Sequence, residues 1–218
     1  SHAIDDSTDL QTLLSPQNDL HPEQERANST FDQRQRFVFS GIYQSGKSGA
    51  SGFMGKFLSN WTLAPIIEFS SGRPFNIVTA TDQNFNFSTS TDRPNAVAVG
   101  TPTNACGFPT VPSKASPTGA FQVPCFVDGN PLDGVFNGSL DGNLGRNAGT
   151  RPMTIFTDMR VARTFSFSER VKLEGLVDMF NFINRFNVAD VNTLYTQAGT
   201  PTAAFDPRQF QFGLRLTW

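Results

Sequence analysis

Apolar and polar residues alternate along five stretches of this chain, and the alternation is cleanest at its C-terminal end. There Phe210, Phe212, Leu214, Leu216 and Trp218 fall on one parity, and Gln211, Gly213, Arg215 and Thr217 on the other. Successive side chains of a strand point to opposite faces, so this run predicts a strand over 208–218 with one apolar face and one polar face. The same period of two recurs over 36–44, 60–79, 153–165 and 170–183. The first sets Phe37, Phe39, Gly41 and Tyr43 against Val38, Ser40 and Ile42. The second sets Trp61, Leu63, Pro65, Ile67 and Phe69 against Thr62, Ala64, Ile66 and Glu68, then runs on through 71–74 into 75–78. The third sets Ile155, Thr157, Met159 and Val161 against Phe156, Asp158, Arg160 and Ala162. The fourth sets Val171, Leu173, Gly175, Val177 and Met179 against Lys172, Glu174, Leu176 and Asp178. Pro65 has no N–H to give a ladder, which predicts a bulge at that point.

The connections alternate in length. Residues 45–59 (rich in Gly and Ser) and 166–169 are the short ones; 80–152 and 184–207 are the long ones. Outer-membrane barrels have short periplasmic turns and long external loops. With Trp218 in the periplasm, every short connection falls inside and every long one outside. Tyr43, Trp61, Phe165 and Trp218 then fall at periplasmic strand ends on the lipid-facing parity, as an aromatic girdle. At about 3.3 Å per residue, roughly nine to eleven tilted residues cross the hydrocarbon layer. The expected fold is therefore all-β: an antiparallel up-and-down transmembrane β-barrel segment with long extracellular loops, a partial barrel because five strands are too few to close. Its expected parts are a strand end and extracellular loop over 1–35, barrel strands over 36–79, a long extracellular loop with both cysteines over 80–152, and C-terminal barrel strands over 153–218. Residues 1–4 read as the tail of a further strand and 5–33 as its external loop.

Composition agrees with this picture without demanding it. The net charge of −2 and pI near 5.6 provide no basic field for nucleic acid. Hydrophobic content of 38 % with a mean hydropathy of −0.29 looks soluble, but a barrel strand exposes only every second residue to lipid. No apolar run approaches the ~18 residues of a spanning helix. The chain opens without a basic-then-apolar leader, which reads as a processed or truncated piece of an exported protein. Cys106 and Cys125 enclose 18 residues rich in Pro, Gly, Thr and Ser. In an oxidising compartment a disulfide between them is expected, worth ~3 kcal/mol against the unfolded loop.

The order of short motifs points to a family. Ala3-Ile4-Asp5-Asp6, Phe31-Asp32-Gln33-Arg34-Gln35-Arg36-Phe37-Val38-Phe39-Ser40-Gly41, Asn60-Trp61-Thr62-Leu63 and Ser71-Gly72-Arg73-Pro74-Phe75 come first. Asp92-Arg93-Pro94-Asn95, Gly142-Asn143-Leu144-Gly145-Arg146-Asn147, Phe180-Asn181-Phe182-Ile183-Asn184 and a last motif running from Pro207 to Arg215 follow. Together they resemble the C-terminal barrel portion of Oar-like TonB-dependent outer-membrane transporters, over nearly the whole chain. The resemblance implies a barrel of about 22 strands in the bacterial outer membrane, of which this chain carries the last few. It also implies partners: outer-membrane lipid, the remaining strands and plug of the parent chain, and the TonB energy-coupling system engaged through an N-terminal part absent here. Pro65 and the paired cysteines depart from the family pattern.

Candidate chemistry is sparse. The only histidines, His2 and His21, have no cysteine nearby, which argues against a nucleophilic triad, a zinc site and enzymatic function. Asp82-Gln83-Asn84-Phe85-Asn86, Asp128-Gly129-Asn130 and Asp141-Gly142-Asn143 offer oxygen ligands for calcium, but turn chemistry explains them better, and no cofactor is expected. Asp158, Arg160, Lys172, Glu174, Asp178 and Arg215 lie on the inward parity, as cross-strand ion pairs of a wet lumen or as contacts to plug or substrate. Tyr43, Trp61, Phe210, Phe212 and Trp218 are the expected interface and barrel-closing aromatics. The competing expectation is a non-transport protein, either a cell-surface adhesin or a secreted β-sandwich. A sandwich would bury the apolar parity that a barrel exposes.

Overall fold

The computed structural model describes residues 2–6, 16–18, 21–46, 52–82, 91–98, 111–113, 116–122 and 141–218. Two compact units emerge: Ser1–Arg34, Ser71–Pro152 and Val188–Ala203 form the first, and Gln35–Ser70, Met153–Asn187 and Ala204–Trp218 the second.

The second unit is one antiparallel sheet. Its strands are β1 (Arg36–Ser40), β2 (Tyr43–Gln44), β3 (Trp61–Ser70), β4 (Thr154–Ser166), β5 (Lys172–Phe180) and β6 (Gln209–Thr217). They lie in the order β6-β5-β4-β3-β1, with β2 also paired to β3, so each strand sits beside its neighbour in sequence. That is an up-and-down meander, left open with β1 and β6 as its edges. Register then sorts the faces. Phe69 is opposite Phe37 and Ile155, Leu63 opposite Tyr43 and Val161, and Val177 opposite Val161 and Phe212. Directly paired residues share a face, so the apolar parities of all five stretches come together on one side of the sheet. Glycines fit that packing on both sides: Gly175 lies opposite Leu214, and Leu176 covers Gly213, where an added Cβ would come within 2.9 Å of it.

Three strand boundaries differ from expectation. The 36–44 strand is interrupted at Gly41 and Ile42. The cause is Pro65, which produces no bulge: β4 pairs through it in unbroken register, Met159 opposite Pro65. Gly41 donates its N–H to the Pro65 carbonyl at 3.2 Å, but the return bond is missing because proline has no N–H. The lost donor points toward β1, so only that ladder is broken. The 170–183 strand stops at Phe180, where Asn181 and Asn184 take left-handed backbone conformations, φ 47° and 55°. The 60–79 strand ends at Ser70, and its expected continuation belongs to the other unit.

The connection over 45–59, expected as a Gly/Ser-rich loop, contains a seven-residue helix, α1 (Gly52–Leu58). Asn60 follows it with φ 62°, a conformation asparagine tolerates, and the chain turns into β3. Among the described residues no helix is long and apolar enough to cross a membrane.

The first unit gathers the three long connections. Pro74–Phe75 pairs with Gly149–Thr150 instead of extending β3. Phe75 and Ile77 are the buried centre of a small core with Val191, Tyr195 and Ala198, against which Leu144, Val188 and Leu194 pack. Ile4–Asp5, expected as the end of a further barrel strand, pairs antiparallel with Ala27–Asn28. The long 80–152 segment contains its own antiparallel sheet, Asn95–Ala98, Ser116–Gln122 and Val111–Ser113 in that order. Gly142 backs onto the 92–95 motif, where a Cβ would sit 1.8 Å from the Arg93 carbonyl oxygen. Gly142→Ala must therefore displace backbone. We expect it to cost this unit ~1–3 kcal/mol or more, seen as faster proteolysis of the first unit, whereas Gly145→Ala, with open space around it, should leave digestion unchanged.

Candidate lumenal and membrane-facing surfaces

The polar face of the sheet carries all six lumenal candidates, but the structure pairs them unevenly. Arg160 lies opposite Asp178 and grips it with both arms, Nε to Oδ1 at 2.6 Å and Nη2 to Oδ2 at 2.8 Å. Arg215 lies opposite Glu174, and Lys172 opposite Thr217 near the short-connection end. Asp158 acts locally, because its carboxylate accepts the Asn181 N–H at 2.9 Å and so holds the turn after β5. The same turn is tied by Asn181, which donates its side-chain amide to the carbonyls of Arg185 and Asp206.

A second ion pair on this face joins Arg36 to Glu68 at 2.9 Å, and sequence patterning alone does not single it out. Its signal is nonetheless present, since Glu68 lies on the inward parity. Such pairs are wetted on at least one side, which limits each to ~1 kcal/mol or less. The face is therefore an array of charged donors and acceptors able to contact a hydrated ligand or a polar protein surface.

The opposite face is apolar and open. Phe212 is 77 % and Leu214 80 % exposed, and Phe37, Phe39, Tyr43, Phe165, Phe210, Leu216 and Trp218 are exposed as well. An apolar surface this continuous demands a partner. Tyr43, Trp61, Phe165 and Trp218 lie at the end of the sheet from which the short connections leave, while Phe210 and Phe212 lie further along β6. A cation intrudes on this face. Arg163, opposite Trp61 and Gly175, stacks its guanidinium over the rings of Phe165, Trp61 and Phe57 at 4.7, 5.0 and 5.3 Å. Cation–π attraction to three rings offsets part of the cost of placing a charge there.

A dense buried polar cluster lies in the first unit. Arg93 forks onto Glu25 with both bonds at 2.9 Å and donates Nε to the Leu144 carbonyl. Arg146 donates to the Glu25 carbonyl and to the Asp5 carboxylate, both at 2.6 Å. Asn147 donates its side-chain amide to the Asn28 carbonyl. Asp32 is tied in nearby: burial pushes its carboxyl up, but the Ala3 N–H and the Arg34 guanidinium outweigh that and hold it below the ordinary range. Residues from the Ala3–Asp6, Asp92–Asn95 and Gly142–Asn147 motifs thus meet in one network. The motifs stand out in the sequence, but their common destination does not.

Among the described residues no group of three or more His, Cys, Asp or Glu side chains is placed to hold a metal ion. Of the calcium candidates, Asp141 accepts the Asn18 side-chain amide at 2.7 Å; residues 83–90 and 128–130 lie outside the described residues, as do Cys106 and Cys125. A family model described as an outer membrane beta barrel domain matches residues 1–211. No curated protein and no solved structure matches the chain.

Proposed function

The chain belongs to the outer-membrane β-barrel domain family and resides in the bacterial outer membrane, and from that premise we propose that it is the C-terminal part of the barrel of a TonB-dependent, Oar-like transporter for a bulky nutrient. The observation that carries this reading is a sheet open at both edges, apolar and exposed on one face and charged on the other. Unpaired backbone groups cost several kcal/mol each in hydrocarbon, and the smallest outer-membrane barrels have about eight strands. The edges β1 and β6 therefore need further strands, which the rest of a larger barrel supplies. A secreted β-sandwich would bury Phe212 and Leu214, and their exposure favours the barrel.

In this reading the long connections face outward, the short ones face the periplasm, and the polar face lines the lumen. Arg160, Lys172, Glu174, Asp178 and Arg215 contact the plug or the passing nutrient. Energy coupling enters through the plug of the parent chain and its contact with TonB. The motif order shared with Oar-like transporters supports the assignment to this class.

Growth tests decide it. A strain lacking the full-length protein should lose growth on one bulky nutrient supplied as sole source, drawn from iron chelates, cobalamin, oligosaccharides and peptides. Removing the energy-coupling protein should reproduce that loss. Undiminished growth on every nutrient, combined with loss of surface attachment, would favour an adhesin instead.

A further inference from the structure

The short connection between β2 and β3 presents an apolar face of its own. On α1, Phe53, Met54, Phe57 and Leu58 are all exposed, Phe53 at 79 %. Residues three and four apart share a helix face. Phe53 and Met54 therefore line up with Phe57 and Leu58 in one stripe about two turns long, left open to the surroundings among the described residues of this unit. The stripe continues into the apolar face of the sheet. Phe53 stacks on Phe57, Phe57 meets Trp61 edge-on at 6.2 Å, and the Trp61 indole N–H donates to the Phe57 carbonyl at 2.7 Å. Arg163 lies over Phe57, Trp61 and Phe165, which places a permanent cation where helix and sheet join.

We infer that α1 is an interfacial anchor that lies in the headgroup layer of the phospholipid leaflet, with Phe53, Met54, Phe57 and Leu58 in the acyl chains. Its occupant is lipid because the stripe is continuous with the face that the barrel turns to lipid. The site sits at the headgroup boundary because a guanidinium and an indole are stable there and not at the membrane centre. Interfacial helices bury an apolar face roughly 5–10 Å into that boundary. The anchor thereby fixes how deep the β2–β3 end of the wall sits. This inference rests on the barrel reading, and the test separates the two.

The test uses the full-length protein in vesicles of phosphatidylethanolamine and phosphatidylglycerol, with its native cysteines, Cys106 and Cys125 among them, replaced by serine. A nitroxide label is attached at Phe53→Cys, and independently at Met54→Cys, since both side chains are exposed and neither change should unfold the sheet. Labels at Phe212→Cys and Gln211→Cys report the two faces of the wall. At positions 53 and 54, accessibility to oxygen should exceed accessibility to a water-soluble nickel chelate several-fold, at a depth shallower than position 212. Water-like labels at both 53 and 54, with a lipid-like label at 212, would overturn the anchor and leave the barrel standing. Water-like labels at 212 as well would overturn both.

Discussion

Replacing Leu214 with arginine will deplete the protein from the outer membrane, and replacing Gln211 with arginine will not. Leu214 is one residue from the middle of β6, 80 % exposed on the apolar face. An arginine near the bilayer midplane costs ~2–4 kcal/mol in an outer-membrane barrel, a shift of roughly 30- to 700-fold in the folding equilibrium. Val177→Arg should behave in the same way, since Val177 lies opposite Phe212 on that face. Gln211 lies on the other face, opposite Asp178, so the new cation enters water beside a carboxylate. The readout is the amount of folded, heat-modifiable protein in outer-membrane fractions. Equal recovery of Leu214→Arg and Gln211→Arg would sink the assignment of the two faces.

The second large effect is in the first unit. Glu25→Ala strands the Arg93 guanidinium, which is buried and otherwise bonded through Nε to the Leu144 carbonyl. It also frees the Gln17 N–H that the Glu25 carboxylate accepts. Breaking one side of a buried pair costs ~3–5 kcal/mol because the remaining charge is left uncompensated. Hydrogen exchange should therefore accelerate at Leu144 and Thr79, whose N–H groups bond to the carbonyls of Pro94 and Asp92. The amides of β4 and β5 should keep their protection. The double change Glu25→Leu with Arg93→Met removes both charges and should recover most of the loss, because an apolar replacement of a buried pair is close to neutral. Unchanged exchange in the single variant would mean that the network does not hold this unit together.

How much of the fold is legible in the sequence depends on the reach of each interaction. The five alternating stretches are strands because a period of two is a property of local backbone, and all five parities meet on one face once the strands pair in chain order. The same period misleads over 75–78. Phe75 and Ile77 alternate as barrel residues would, yet they fill the core of the other unit, and alternation does not say which core a residue enters. Pro65 signals a broken ladder, but its consequence turns on which neighbour its missing N–H faces. Helix α1 escapes a reading by pattern because seven residues with glycine at positions 52 and 55 carry little helical signal. Its stripe of Phe53, Met54, Phe57 and Leu58 is nonetheless present at the right spacing.

Sequence alone determined which side chains of each strand share a face, since alternation acts within a few residues. Tertiary structure decided which charges meet. Glu25 joins Arg93 across 68 residues, and Asp5 joins Arg146 across 141. Contacts of that separation exist only once the intervening loops have closed, and the loss of chain entropy on closing is repaid only by the assembled unit.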